Sequence, residues 1–275
     1  EMIVLAARPS MGKTSLAMNI AECVALGKDM NGSPMKGDHN RPHPVGVFSL
    51  EMSTESLAMR MLCGFAKVQG FLIDQGIGNP QRINQQLTRA ATEIAAAPIY
   101  VDDTGALDVM DMRARARRMK KAHKIELVVI DYLQLCNCRE FARQGRQIET
   151  SQISGQIKAM AKELNVPVIV LSQLSRAPEQ RHDKTHKPKL SDLRDSGAIE
   201  QDADVVLLLR RPCKASGEME LNDTLLAIVD VAKHRNGPTG EVHLNFEESL
   251  TRFSDRSDEH ESDAGNMQVD ESPEY

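Results

Sequence analysis

Tryptophan is absent from this 275-residue chain, and six phenylalanines and three tyrosines make up all of its aromatic content, 3% of the residues. Ring stacking is therefore excluded as the main grip on a large ligand. No stretch approaches the roughly 20 consecutive apolar residues that a membrane-spanning helix needs. A signal peptide is missing too: Glu1 leads straight into the apolar run Met2–Ala6, which reads as the start of a truncated or excised chain. Cysteine is sparse. Cys23, Cys63, Cys136, Cys138 and Cys213 contain no C-x-x-C pair, and an odd number without a framework fits a reducing, cytoplasmic compartment. Zinc is not expected, because His182 and His186, although four residues apart, sit in a stretch rich in lysine and proline.

A real excess of one charge is lacking as well. The formal net charge of −5 comes from 34 basic and 39 acidic residues, but Asp255–Tyr275 alone holds eight acids and one base, Arg256. The rest carries 33 bases against 31 acids, which is compatible with a local polyanion site. Residues 255–275 are expected to form an acidic, disordered, solvated tail. Hydrophobic content of 41% and charged content of 27% are ordinary for a soluble globular protein, and the length allows one large domain or two.

Short apolar runs alternate with stretches of helical period, the pattern of a mostly parallel sheet covered on both faces by helices. Strands are expected at Met2–Ala6, Val45–Leu50, Ile99–Val101, Leu127–Ile130, Val168–Leu171 and Val205–Leu209. Helices are expected at Lys13–Leu26, Thr54–Val68, Pro80–Ala96, Val109–His123 and Ile153–Leu164. Near the end, Leu225–Ala232 and Glu241–Phe246 flank Asn236-Gly237-Pro238-Thr239-Gly240, which predicts an antiparallel hairpin. Gly27–Pro44, rich in Gly, Pro, Asn and His, reads as a surface insertion. The expected class is thus α/β, with a C-terminal antiparallel β-hairpin extension.

Arg8-Pro9-Ser10-Met11-Gly12-Lys13-Thr14-Ser15 stands between the first strand and the first helix. That order is what a phosphate-binding loop requires. Backbone N–H groups of the loop and the helix start converge on an anion, the lysine reaches the terminal phosphates, and the threonine hydroxyl ligates magnesium. The usual pattern opens with glycine, a place held here by Ala7.

In an open parallel sheet, ligands gather beyond the carboxyl ends of the strands. Glu51, Asp131 and Gln173 each follow an apolar run and are candidates to meet the loop there. Asp131 suits a carboxylate holding the magnesium bound by Thr14, directly or through water; the alternative is a helix cap. Glu51 suits a general base or water-positioning group, or is simply a turn acid. Gln173 suits a γ-phosphate contact, or a buried or capping amide.

Taken in order, Ala7–Ser15, Phe48–Ser53, Val129–Leu135, Leu171–Arg176, Leu190–Asp204 and Lys233–Pro238 resemble the successive motifs of the DnaB-type replicative DNA helicases, over roughly residues 1–253. The resemblance implies a RecA-like ATPase domain spanning 1–254, with that family's N-terminal helical domain and linker helix absent from this chain. It implies an ATP- and Mg2+-dependent, 5′-to-3′ helicase that works as a ring, most simply a hexamer, on single-stranded DNA, with a primase and a helicase loader as partners. Arg60 corresponds to a family residue near the nucleotide, or is an ordinary surface arginine. Lys233 and Arg235 would project from the hairpin into the ATP site of the neighbouring subunit, Arg235 as an arginine finger.

For DNA, the resemblance points to Arg194, Asp195 and the Gly197 backbone, within Ser191–Asp204; many relatives have glutamate where this chain has Asp195. The basic loop Arg181–Lys189 either adds phosphate contacts or is solvated, and the basic run Arg113–Lys124 reads as an exposed helix face or subunit surface. At Arg210-Arg211-Pro212, where many relatives carry aromatics, ring packing on adenine would be lost. Alternatives left open are a RecA- or RadA-type recombination motor, a non-catalytic DNA- or partner-binding module, and a small-molecule P-loop kinase.

Overall fold

Six apolar runs become the parallel part of a nine-stranded sheet in the computed structural model, which describes residues 1–175, 187–193, 197–214 and 223–256. The strands are β1 (Met2–Ala7), β2 (Val45–Ser49), β3 (Ile99–Asp102), β4 (Leu127–Asp131), β5 (Val168–Gln173), β6 (Val205–Arg210), β7 (Leu226–His234), β8 (Gly240–Glu247) and β9 (Arg252–Asp255). Their order is β3-β2-β4-β5-β1-β6-β7-β8-β9; all pairs up to β1–β6 are parallel, and the last three are antiparallel.

The helices are α1 (Lys13–Leu26), α2 (Thr54–Ala66), α3 (Gly70–Asp74), α4 (Pro80–Ala96), α5 (Val109–His123), α6 (Arg146–Leu164) and α7 (Gly197–Asp202). Alternate residues of β1 face opposite sides of the sheet. Met2, Val4 and Ala6 join a core with Met112, Ile153 and Ile157 of α5 and α6, while Leu5 and Ala7 join a second core with Leu16, Ala17 and Leu57 of α1 and α2. Both faces are covered, so the central strands read as continuous hydrophobic runs.

Several boundaries differ from expectation for local reasons. α6 starts at Arg146 rather than Ile153, its first two turns being polar and tied by an Arg146–Glu149 pair at 2.7 Å. α2 stops at Ala66, because Lys67 takes a left-handed conformation (φ 53°). The short α3 and β9 were not expected. β9 runs through Asp255, one residue past the expected domain end, and Arg256 pairs with Asp223 at 2.6 Å; the remainder of the tail lies outside the described residues. Gly27–Pro44 is largely exposed, as a surface insertion should be.

The two ends of the sheet carry different groups. Ala7 pairs with Gln173 and Ser49 with Asp131, so the carboxyl ends of four parallel strands lie together. At the other end the Asp204 amide donates to the Met2 carbonyl and the Arg235 amide to the Asp204 carbonyl, at 2.9 and 2.8 Å. Five steps of β1 separate those ends, about 16 Å at strand rise.

Candidate functional site

The loop after β1 contains two residues of positive φ, Ser10 (63°) and Gly12 (94°), immediately before α1. Such a turn directs successive backbone N–H groups into a concavity that suits an anion. Gly12 is required twice over. Its φ disfavours any side chain, and a Cβ there would stand 3.0 Å from the Phe246 ring and 3.2 Å from that of Phe253. Those two rings stack at 4.3 Å between centroids and form the floor behind the loop.

A cavity of about 560 Å3 opens above this loop. Arg8, Pro9, Ser10, Gly12, Lys13, Thr14 and Ser15 line it, together with Glu51, Arg60 and Gln173. Met11 turns instead toward the core shared with α1 and α2. Asp131 sits just beneath: Thr14 Oγ1 donates to its Oδ2 at 2.8 Å, while its Oδ1 is buried without a hydrogen-bond partner among the described residues. Burial pushes the Asp131 carboxyl up, against the opposing pull of the Thr14 hydrogen bond and the Lys13 charge. The Lys13 ammonium lies 4.5 Å from the Tyr132 ring centroid, and burial lowers its pKa, partly offset by Asp131 and Glu51. A half-buried ammonium beside a buried carboxylate and a hydroxyl is a set of groups whose chemistry suits an anion and a hard cation.

Glu51 is held in its turn from both sides. Ser49 Oγ donates to the Met52 carbonyl at 2.6 Å, and Ser53 caps α2 by accepting the Ser56 amide. Gln173 is exposed, with its backbone clamped by the Gln134 side chain: Oε1 accepts the Gln173 amide and Nε2 donates to the Gln173 carbonyl, both at 3.3 Å. Five lining residues, Ala7, Tyr132, Phe246, Glu248 and Thr251, are not among the candidates that the sequence marks as site residues; Ala7 opens the phosphate-binding loop. Tyr132 falls inside one of the family-like motifs and Phe246 in an expected strand. Glu248 and Thr251 follow β8 in a segment with no motif to mark them.

Lys233 and Arg235 are not in this cavity. Lys233 donates to the Glu200 carbonyl and Arg235 to the Gln201 carbonyl, at the opposite end of the sheet. Gly197 opens α7 and is exposed, whereas Arg194 and Asp195 lie outside the described residues, as do Arg181 and Lys184. Of the segment Ser191–Asp204, Asp192 and Asp204 are buried. In the basic run of α5, Arg113 and Arg117 both pair with Glu163 and Arg115 pairs with Asp102, leaving Arg118, Lys121 and Lys124 exposed. Arg211 is buried, 4.8 Å from the Phe246 ring centroid and 3.2 Å from Glu248.

Residues 1–255 match the model of the DnaB-like helicase C terminal domain. The chain belongs to that family. It is 43% identical over 253 residues to the replicative DNA helicase DnaB of Geobacillus stearothermophilus and 41% identical over 259 to the replicative DNA helicase DnaC of Bacillus subtilis. Each match covers 92% of this chain but 52% of the relative, so the chain spans about half the length of these curated relatives. Among solved structures, the ATPase domain of another protein superposes with a TM-score of 0.81 at 34% identity, over 93% of this chain and 84% of that one. A DnaB-like replicative helicase, studied with its interactions with primase, superposes with a TM-score of 0.79 at 35% identity, over 94% and 59%. The RecA-like fold expected from the motifs is that of the DnaB-like domains.

Proposed function

We propose that this domain, residues 1–254, is the ATP-hydrolysing motor of a replicative DNA helicase that works as a ring, most simply a hexamer, on single-stranded DNA. The observation that carries the reading is the separation of the two halves of one site. The cradle of Ser10–Ser15 lies beyond the carboxyl end of β1, and Lys233 and Arg235 lie at its amino end, so within one chain they are unable to meet. Stacked head to tail in a ring, copies of this chain present the cradle of one to the cations of the next.

ATP then lies in the cavity with its phosphates on the loop amides and on Lys13, and Arg8, Ser15 and Arg60 border it. Thr14 and Asp131 fit Mg2+, because their oxygens adjoin and one carboxylate oxygen has no hydrogen-bond partner among the described residues. When bound, that ion neutralises charge on the β- and γ-phosphates. Glu51 orients and deprotonates the attacking water, Gln173 contacts the γ-phosphate, and Arg235 of the next copy stabilises charge on the transferring group, with Lys233 beside it. DNA is held by phosphate contacts at Arg194 and the backbone of Gly197, with Asp195 lining the same channel, and moves 5′ to 3′; primase and a loader are the expected protein partners. Asp255 belongs to β9, and the acidic sequence that follows Arg256 is proposed as a tail separate from the motor. Among the described residues no helix is long and apolar enough to cross a membrane, and the reading assigns the protein to the cytoplasm.

A forked-DNA unwinding assay tests this reading. ATP-dependent strand displacement that disappears in Lys13→Ala is the expected result. Strand exchange between homologous duplexes without fork unwinding would instead assign the domain to recombination.

A further inference from the structure

Asp204 lies between α7 and β6, and its side chain is 9% exposed. Its Oδ2 accepts the Met2 amide at 2.8 Å and a hydrogen bond from Lys158 of α6, and its Oδ1 stands 3.2 Å from an Arg235 guanidinium nitrogen. Its carbonyl accepts the Arg235 amide at 2.8 Å. Both the backbone and the side chain of Arg235 are thus fixed by one residue. A second hold comes from the end of α7. Arg235 Nη2 donates to the Gln201 carbonyl at 3.0 Å and Lys233 Nζ to the Glu200 carbonyl. Carbonyls in a last helical turn have no partner within the helix and sit at its negative pole, where cations are favoured.

The Arg235 side chain nevertheless remains 50% exposed. A guanidinium has five N–H donors, and the named contacts use two of its nitrogens, so the group is anchored on one edge and open on the other. Burial by itself would raise the Asp204 carboxyl; hydrogen bonds from Lys158 and the Met2 amide, with the charges of Lys158 and Arg235, outweigh it and hold the group below the usual carboxylate range. The anchor is therefore anionic at neutral pH.

α7 is itself anchored. Ser154 of α6 donates to Asp202 at 2.6 Å, and Ile199 is fully buried. Its first residue is Gly197, assigned above to DNA, and its last carbonyls hold Lys233 and Arg235. The two contacts sit at opposite ends of a single six-residue element.

We propose that Asp204 is a positioning residue which, together with the terminal carbonyls of α7, sets the direction in which Arg235 is presented to the next copy and ties that direction to the backbone at Gly197. The proposal rests on the shared-site reading. Asp204 touches neither nucleotide nor DNA; it acts through Arg235. Displacing a phosphate-stabilising cation by about 1 Å lowers a rate by up to 10²-fold, so loosening the anchor reduces turnover without emptying the cradle.

The test is Asp204→Asn in the full chain, with ATP turnover measured with and without single-stranded DNA. The expected result is about a tenfold lower kcat, an unchanged KM for ATP and a smaller stimulation by DNA. Turnover should return when Asp204→Asn is mixed with Lys13→Ala, which supplies an intact Arg235 to an intact cradle. Asp204→Glu, which keeps the charge, should fall between wild type and Asp204→Asn; it carries the test alone if Asp204→Asn melts early or loses ATP binding. Arg235→Ala inactive with wild-type kcat in the folded Asp204 variants would overturn the positioning role and leave the shared site standing. Wild-type turnover in Arg235→Ala would remove the shared site, and this proposal with it.

Discussion

Arg235 and Lys13 stand at opposite ends of β1: Lys13 follows its carboxyl end, and the Arg235 amide is linked through Asp204 to Met2 at its amino end. Such a separation is hard to reconcile with an intramolecular role for both in one phosphate site, and it gives each expected effect a direction. On the proposed shared site, substitutions near the cradle are expected to act on the chain's own nucleotide, and substitutions near Arg235 on the neighbour's.

Asp131 is kept from ionising easily by burial, which raises its carboxyl above the usual aspartate range. Protons are therefore expected to compete with the proposed divalent cation for this carboxylate at less acidic pH than at an ordinary aspartate. Turnover is expected to fall on the acid side with a midpoint above the ordinary aspartate value of 3.8, and to recover with added Mg2+. Asp131→Asn should be inactive across the whole pH range.

Glu51→Gln removes the proposed base while keeping the shape of its turn, which Ser49 and Ser53 hold independently. A kcat about 10²–10⁴-fold lower with unchanged ATP affinity is expected, read by steady-state turnover and nucleotide titration. Turnover within a few-fold of wild type would reduce Glu51 to a turn residue.

Gly12→Ala forces a methyl group to 3.0 Å from Phe246 at a backbone angle of φ 94°. The loop or the Phe246–Phe253 stack must shift. A destabilisation of about 1–3 kcal/mol is expected from strain at such a position, measured by thermal unfolding, together with weaker ATP binding.

Much of this architecture is legible in the sequence, and the exceptions share a cause. The central strands are buried on both faces, so runs of aliphatics announce them, and Glu51, Asp131 and Gln173 are marked by ending such runs. The pairing of Thr14 with Asp131, 117 residues apart, follows from sheet polarity alone. By contrast, β9 is four residues of mixed polarity, Arg252-Phe253-Ser254-Asp255, with no run to reveal it. Phe253, whose stack with Phe246 shapes the loop, is invisible for that reason. The first turns of α6 escape notice because they are polar, and α7 because it has only six residues. The anchoring of Arg235 by Asp204 of the same chain has no local signal either, since it depends on β7 returning antiparallel beside β6.

Glu163 bridges Arg113 and Arg117 across α5 and α6, and those hydrogen bonds hold its carboxyl down to about 2 from an ordinary value of 4.5. A depressed folded-state pKa contributes stability above the unfolded value and loses it as pH falls. Glu163→Gln should therefore lower the Tm slightly at neutral pH, by at most about 2 °C because the group is solvent-exposed. The difference should shrink between pH 4.5 and about 2, and also in high salt.

The shared site is tested most directly by mixing two inactive proteins, Lys13→Ala with a dead cradle and Arg235→Ala with no finger, and measuring ATP turnover in the presence of single-stranded DNA. In an equal mixture about a quarter of head-to-tail interfaces join an intact cradle to an intact arginine, so activity should reappear at a substantial fraction of wild type. A mixture as inactive as its two components, although both bind into common assemblies, would contradict the account.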